Sequence, residues 1–212
     1  MSKSPSLTEP KERIEYDTPW PIVDCFEFPY KYFGYEYGGS DKTLLDIACG
    51  ENRQRRILDP LFAEVTSADK VQDRTKGHRS IFKANIELLP KQWVEKPFDV
   101  VFSFETIEHI AGEKHVDIVT DLQIVSKGVV VIGSINRTGP SMLDDYEVWK
   151  DGKNPYHVAE YDHEAWEDFF RKHFVKPKFH CSIYTGRGRW QMSYGLWENG
   201  VCNYVVLPGL GK

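Results

Sequence analysis

Five short apolar runs in this chain each stop abruptly at a small, acidic or amide residue, and this pattern restricts the fold more than any other feature. The runs are LLDIACGEN from Leu44, VTSAD from Val65, KANIE from Lys83, FDVVFSFETIEHI from Phe98 and GVVVIGSIN from Gly128. An apolar run of four to eight residues closed by a glycine or polar residue is the signature of a buried strand feeding a loop. The spacing predicts strands over 43–49, 63–68, 80–86, Phe98–Phe104 and 128–135. The fourth is nearly continuous in Val and Phe, as suits a strand covered on both faces. Helical patterns lie between them, over 53–61 and over 113–125, where Val116, Val119 and Leu122 share a stripe and Gly128 follows. Farther on, Asp162 precedes HEAWEDFFRKHF, whose Trp166, Phe169, Phe170 and Phe174 fall on one helical face. Two more strands are predicted over 179–185 and 202–207, making seven. Strands alternating with helices imply an α/β sheet, mostly parallel, with helices on both faces.

The flanks differ from this core. Residues 1–13 are polar and rich in Ser and Pro and predict a flexible tail. Residues 14–212 then form a single domain, which opens with an aromatic arm over 14–40. That arm carries Trp20, Tyr30, Tyr32, Phe33, Tyr35 and Tyr37, and covering one sheet face is its expected task, ahead of closing over a ligand. Residues 41–136 are the cofactor-binding half and 137–212 the substrate-side half, joined by a polar connection over 137–153. Arg187 and Arg189, in the loop Gly186-Arg187-Gly188-Arg189-Trp190, are either a solvated pair or a grip for an anionic substrate group.

A length of 212 residues with 41% hydrophobic content supports a core of this size. The formal net charge of −5 argues against nucleic acid or an anionic membrane surface as a partner. The four cysteines, at 25, 49, 181 and 202, form no CxxC pair and are expected to be buried thiols in a reducing cytoplasm. No apolar run approaches membrane-spanning length.

In an open α/β sheet a ligand sits beyond the carboxyl ends of the strands. The first run ends Asp46-Ile47-Ala48-Cys49-Gly50-Glu51-Asn52, small enough for a sharp turn and a close ligand approach but without the GxGxxG spacing of a pyrophosphate loop. The second ends at Asp69, twenty-three residues after Asp46 (69 − 46), where a carboxylate grips a ribose diol or, equally, caps a helix. The third ends at Asn85-Ile86, an amide and an apolar side chain suited to an adenine edge and face, or an ordinary turn asparagine.

In order and spacing these segments resemble the class I S-adenosylmethionine-dependent methyltransferases, and within them the subgroup with a Ser-Phe-Glu-x-x-Glu-His segment after the fourth strand. Asn154-Pro155-Tyr156-His157-Val158-Ala159-Glu160-Tyr161 adds to the likeness, which covers roughly 42–183. The resemblance implies a Rossmann-like seven-stranded sheet with an antiparallel C-terminal strand, S-adenosylmethionine as cofactor and S-adenosylhomocysteine as product. It also implies methyl transfer to a small-molecule acceptor, with O-methylation of a hydroxylated metabolite or sugar favoured. Metal-dependent 2′-O-methylation of RNA and a non-catalytic cofactor-binding protein are the alternatives. By position, Asp46 and the Ala48-Cys49-Gly50 loop would hold the methionine part. Asp69, with Lys70 beside it, would bind the ribose, Asn85 and Ile86 would frame the adenine, and Phe104 and Glu105 would line the floor. Ala48 and Asn52 stand where glycine is usual, and Asn85 where aspartate is usual.

A helix starting near Glu105 would set Glu105, Glu108 and His109 on one face at i, i+3 and i+4. Three tasks compete for them. With His157 they could hold Mg²⁺ or Mn²⁺, as a similar box does in ubiquinone-pathway and small-RNA methyltransferases. In a metal-free pocket, His109 or His157 could accept the substrate proton, and this ranks first. Or they could only shape a helix start.

Overall fold

The computed structural model describes residues 14–15, 27–50, 52–70, 81–137, 157–186, 189–196 and 200–212. Trp20, Cys25, Arg187, the whole of the expected 1–13 tail and all of the 137–153 connection except Arg137 lie outside them.

The described strands form one sheet: β1 (Ile14–Glu15), β2 (Gly39–Ile47), β3 (Phe62–Asp69), β4 (Phe82–Lys83), β5 (Phe98–Phe104), β6 (Ser126–Ile135), β7 (Lys178–Gly186), β8 (Arg189–Tyr194) and β9 (Cys202–Pro208). Their order is β1-β8-β7-β9-β6-β5-β2-β3-β4. β2 pairs parallel with β3 and β5, β3 with β4, and β5 with β6. β9 runs antiparallel to both β6 and β7, so β7 points the same way as β6. Only β9 and β8 therefore run against the rest. Among the described residues the expectation of seven strands becomes nine, because β8 and the edge strand β1 were not foreseen. β8 forms a hairpin with β7 where a loop and tail were expected, and β1 closes on β8.

Among the described residues five α-helices flank the sheet: α1 (Glu27–Tyr37), α2 (Arg55–Leu58), α3 (Lys91–Glu95), α4 (His115–Ile124) and α5 (His163–His173). Side chains alternate along each strand. On one face Leu45, Ile47, Val101, Ile132 and Val205 meet Ile118, Val119 and Leu122 of α4 and Trp166 and Phe170 of α5. On the other, Leu44, Phe102, Phe104 and Tyr204 meet Phe28, Tyr30, Tyr32 and Phe33 of α1 and Leu58 of α2. The aromatic arm is thus a helix whose buried face covers the sheet, while Tyr35 remains 59% exposed. Pro29 is tolerated because it sits in the first turn, where its missing N–H has no partner to lose.

α5 begins as its sequence predicts. The Asp162 carboxylate accepts from the Ala165 N–H at 2.9 Å, a cap in extended backbone. Two other segments shrink. The helix expected over 53–61 is regular only at Arg55–Leu58. The third strand keeps only Phe82–Lys83, because Asn85 Oδ1 accepts from the Glu87 N–H at 3.1 Å and turns the chain. Among the described residues, no helix is long and apolar enough to cross a membrane.

Candidate functional site

The carboxyl ends of β2, β3, β5 and β6 gather the polar residues singled out from the sequence. The loop after β2 winds through three left-handed residues, Ala48 (φ 61°), Gly50 (φ 56°) and Asn52 (φ 57°). A Cβ at Gly50 would meet nothing within 4 Å, so the loop faces open space there. Asp69, at the end of β3, accepts from the Gly50 N–H at 3.0 Å and ties the two strand ends together. Lys70 beside it is exposed.

Asp46 is fully buried beneath this loop. Its Oδ1 accepts from the Tyr30 hydroxyl at 3.1 Å and its Oδ2 from Gln54 Nε2 at 2.7 Å. Gln54 also donates to the Cys49 carbonyl at 2.9 Å, so Asp46 reaches the loop through Gln54. Burial raises the Asp46 carboxyl to about 7, against the opposing pull of its two hydrogen bonds. Burial also pushes the Cys49 thiol up, so it stays protonated. Gln54 was not foreseen from sequence, and Tyr30 was foreseen only as an aromatic of the arm, not as a partner of Asp46. Phe104 is buried, with its ring 4.6 Å from that of Tyr30, edge to face. Ile86 is buried and Asn85 exposed, its side chain engaged in the turn to Glu87.

The segment after β5 departs from the expected helix. Glu105 adopts φ 50°, and the chain then makes only a 3-10 turn, Ile107–His109. Glu105, Glu108 and His109 therefore do not share one helical face. Glu108 points inward with 0% exposure, His109 points outward, and Glu105 is intermediate between them. Ser134 Oγ, on β6, donates to Glu108 Oε2 at 3.0 Å, and Glu108 Oε1 has no hydrogen-bond partner. Burial raises both glutamates, and the Glu105 charge raises Glu108 further.

His157, fifty residues downstream, comes to this turn. The Glu108 carbonyl accepts from the Val158 and Ala159 N–H groups at 2.8 and 3.1 Å, laying the 157–160 segment against the box. The rings of His109 and His157 then sit 4.7 Å apart, edge to face. Ligand atoms of Glu108, His109 and His157 all lie within 4.8 Å of one another, a grouping able to hold a metal ion. Glu105 is not part of it. Glu160 pairs with His157 Nδ1, and with the proton on Nδ1 the Nε2 atom keeps its lone pair for a ligand. Ser134 carried no distinguishing signal in the sequence, and Glu160 stood in the quoted 154–161 segment without an assigned role.

No protein-family profile matches the chain. It is 29% identical over 114 residues to a ubiquinone biosynthesis O-methyltransferase of Rickettsia bellii, covering 49% of this chain and 46% of that one. The chain thus spans about half the length of the curated relatives it matches. A methyltransferase structure from Archaeoglobus fulgidus superposes with a TM-score of 0.59 at 15% identity, covering 86% of this chain and 92% of that one. The small RNA methyltransferase HEN1 superposes with a TM-score of 0.64 at 14% identity, over 95% of this chain and 27% of that one. Strand order, the loop after β2 and these superpositions agree: the chain has the Rossmann-like fold of the class I S-adenosylmethionine-dependent methyltransferases.

Proposed function

We propose that this chain is an S-adenosylmethionine-dependent O-methyltransferase acting on a hydroxylated small molecule, with a divalent cation held by Glu108, His109 and His157. The residues present fit the cofactor. The left-handed loop leaves open space at Gly50, and Asp69 stands where a carboxylate would accept from ribose hydroxyls. Ile86 and Phe104 supply apolar surface near that end, with Asn85 and Lys70 at its rim. When bound, the cofactor supplies an electrophilic methyl group and leaves as S-adenosylhomocysteine.

The observation that carries the cation reading is the convergence of Glu108, His109 and His157. A fully buried carboxylate with an unpartnered oxygen, beside a second carboxylate, is costly unless a positive charge or a proton joins it. Two imidazoles nearby, one oriented by Glu160, complete a hard-cation set. A cation there would lower the pKa of an acceptor hydroxyl, which an alcohol needs and an amine does not. The chain's own residues align the acceptor and exclude water. The O-methyltransferase name of the Rickettsia relative supports oxygen as the acceptor atom. The net charge of −5 favours a small molecule over RNA.

Calorimetry with S-adenosylhomocysteine, followed by methyl transfer to hydroxylated acceptors with Mn²⁺, Mg²⁺ or chelator, tests this. Saturable cofactor binding and chelator-sensitive transfer are expected. Absence of binding at millimolar ligand would sink the cofactor reading. Chelator-insensitive transfer would replace the cation with His109 or His157 as proton acceptor.

A further inference from the structure

His115 is the first residue of α4 and fully buried, and both of its ring nitrogens are engaged. Nε2 lies 2.8 Å from the Ile110 carbonyl, and Nδ1 lies 2.7 Å from the Tyr161 hydroxyl. A carbonyl only accepts, so Nε2 carries the proton. In a neutral ring Nδ1 is then the acceptor of the Tyr161 O–H. Burial favours that neutral ring by pushing the imidazole below its usual pKa.

The two partners belong to the two halves of the cation site. Ile110 directly follows His109 in the turn after β5, and Tyr161 ends the segment that carries His157 and Glu160. One rigid ring thus spans from the turn that supplies Glu108 and His109 to the segment that supplies His157. α4 fixes the ring, because Ile118, Val119 and Leu122 seat the helix on the sheet. Backbone bonds also hold the segment: the Glu108 carbonyl accepts from the Val158 and Ala159 N–H groups, and the Tyr161 carbonyl accepts from the Arg137 N–H at 3.0 Å. Such bonds are open to almost any residue type, whereas the Tyr161–His115 bond is written in two particular side chains. A ligating imidazole must stand within about 0.5 Å of its working position, so whatever holds its segment tunes the site.

We infer that His115 and Tyr161 are positioning residues, which latch the 157–161 segment onto the turn after β5 and so set where His157 stands in the cation site. The inference rests on the cation reading above, and it gives a task to a buried histidine outside the ligand set.

Two variants test it. Tyr161→Phe deletes the hydroxyl and keeps the ring, which packs on Trp166 and Phe169 at 5.8 and 5.5 Å. Val206→Ala is the control, because it loosens the opposite face of the sheet. Each is compared with wild type by amide hydrogen exchange of metal-free protein and by Mn²⁺ titration followed by paramagnetic resonance. In Tyr161→Phe the Val158 and Ala159 amides are expected to exchange about 10-fold faster, and Mn²⁺ to bind about 10-fold more weakly. Val206→Ala is expected to lower the thermal midpoint and leave Mn²⁺ affinity unchanged. Unchanged exchange at Val158 and Ala159, or faster exchange with unchanged Mn²⁺ affinity, would overturn the inference and leave the cation reading intact. Weaker Mn²⁺ binding in Val206→Ala as well would also overturn it, since affinity would then only follow stability. A wild type that binds no Mn²⁺ would overturn the cation reading and the inference with it.

Discussion

The Tyr30 hydroxyl donates to Asp46 Oδ1 at 3.1 Å, joining the aromatic arm to the buried carboxylate under the loop after β2. The arm thus supports the candidate site from below as well as covering the sheet. Its ring packs edge to face on Phe104, so packing and hydrogen bonding at this residue can be separated. Tyr30→Phe is expected to cost about 1–3 kcal/mol, since it strips a partner from a buried acceptor. Tyr30→Ala is expected to cost about 3–5 kcal/mol, by analogy with aromatic truncations that leave a cavity. Urea denaturation of the two variants checks both figures, and an unchanged stability in Tyr30→Phe would mean the hydroxyl contributes nothing.

Asp46 gives the protein a pH dependence of known sign. Its folded pKa of about 7 lies above the ordinary carboxylate value, so between those values the folded state holds more protons than the unfolded chain. The stability this contributes is complete below pH 4 and is lost as pH rises to about 7. Asp46→Asn cannot ionise and escapes that loss. Its stability relative to wild type should therefore rise from pH 5 to pH 8 in parallel denaturation curves. A constant difference would show that Asp46 is not the group responsible.

Local signals were legible in the sequence and non-local ones were not. The Asp162 cap and the Trp166/Phe170 stripe each depend on residues within two turns, and both are found as expected. The parallel strands β2, β3 and β5 lie where runs ending near Asp46, at Asp69 and before Glu105 predicted them. By contrast, α1 is aromatic on several sides and carries Pro29, so no helical period stands out. The 80–86 strand was overread because a side-chain bond from Asn85 competes with the ladder. The meeting of His157 with His109 depends on the backbone carbonyl of Glu108, an atom every residue possesses, so no residue type advertises it. The face shared by Glu105, Glu108 and His109 failed because a left-handed Glu105 breaks the helix that would have created it.

Glu160 tests the cation reading without substituting any of its ligands. It holds His157 Nδ1, and losing such an outer partner typically weakens metal affinity 10- to 100-fold. Glu160→Gln should weaken Mn²⁺ binding by that factor, measured by the loss of the free-ion paramagnetic resonance signal. Its thermal midpoint without metal should stay close to that of wild type. Unchanged Mn²⁺ affinity would leave Glu160 a purely structural partner of His157.

Glu105 combines backbone strain with a partly buried charge, and two substitutions separate them. A non-glycine residue at φ 50° costs on the order of 1 kcal/mol, which Glu105→Gly would relieve at the expense of a more flexible unfolded chain. Glu105→Gln keeps the strain and removes the charge that raises Glu108. With that repulsion gone, Glu108 should titrate at lower pH in the Gln variant, followed by carboxyl infrared absorption in metal-free protein. The folded state of the variant should also gain stability over wild type at neutral pH, where the buried Glu108 and the partly buried Glu105 compete for protons. An unshifted Glu108 titration would mean that burial alone, without Glu105, sets its protonation, and that the two residues do not act as a pair.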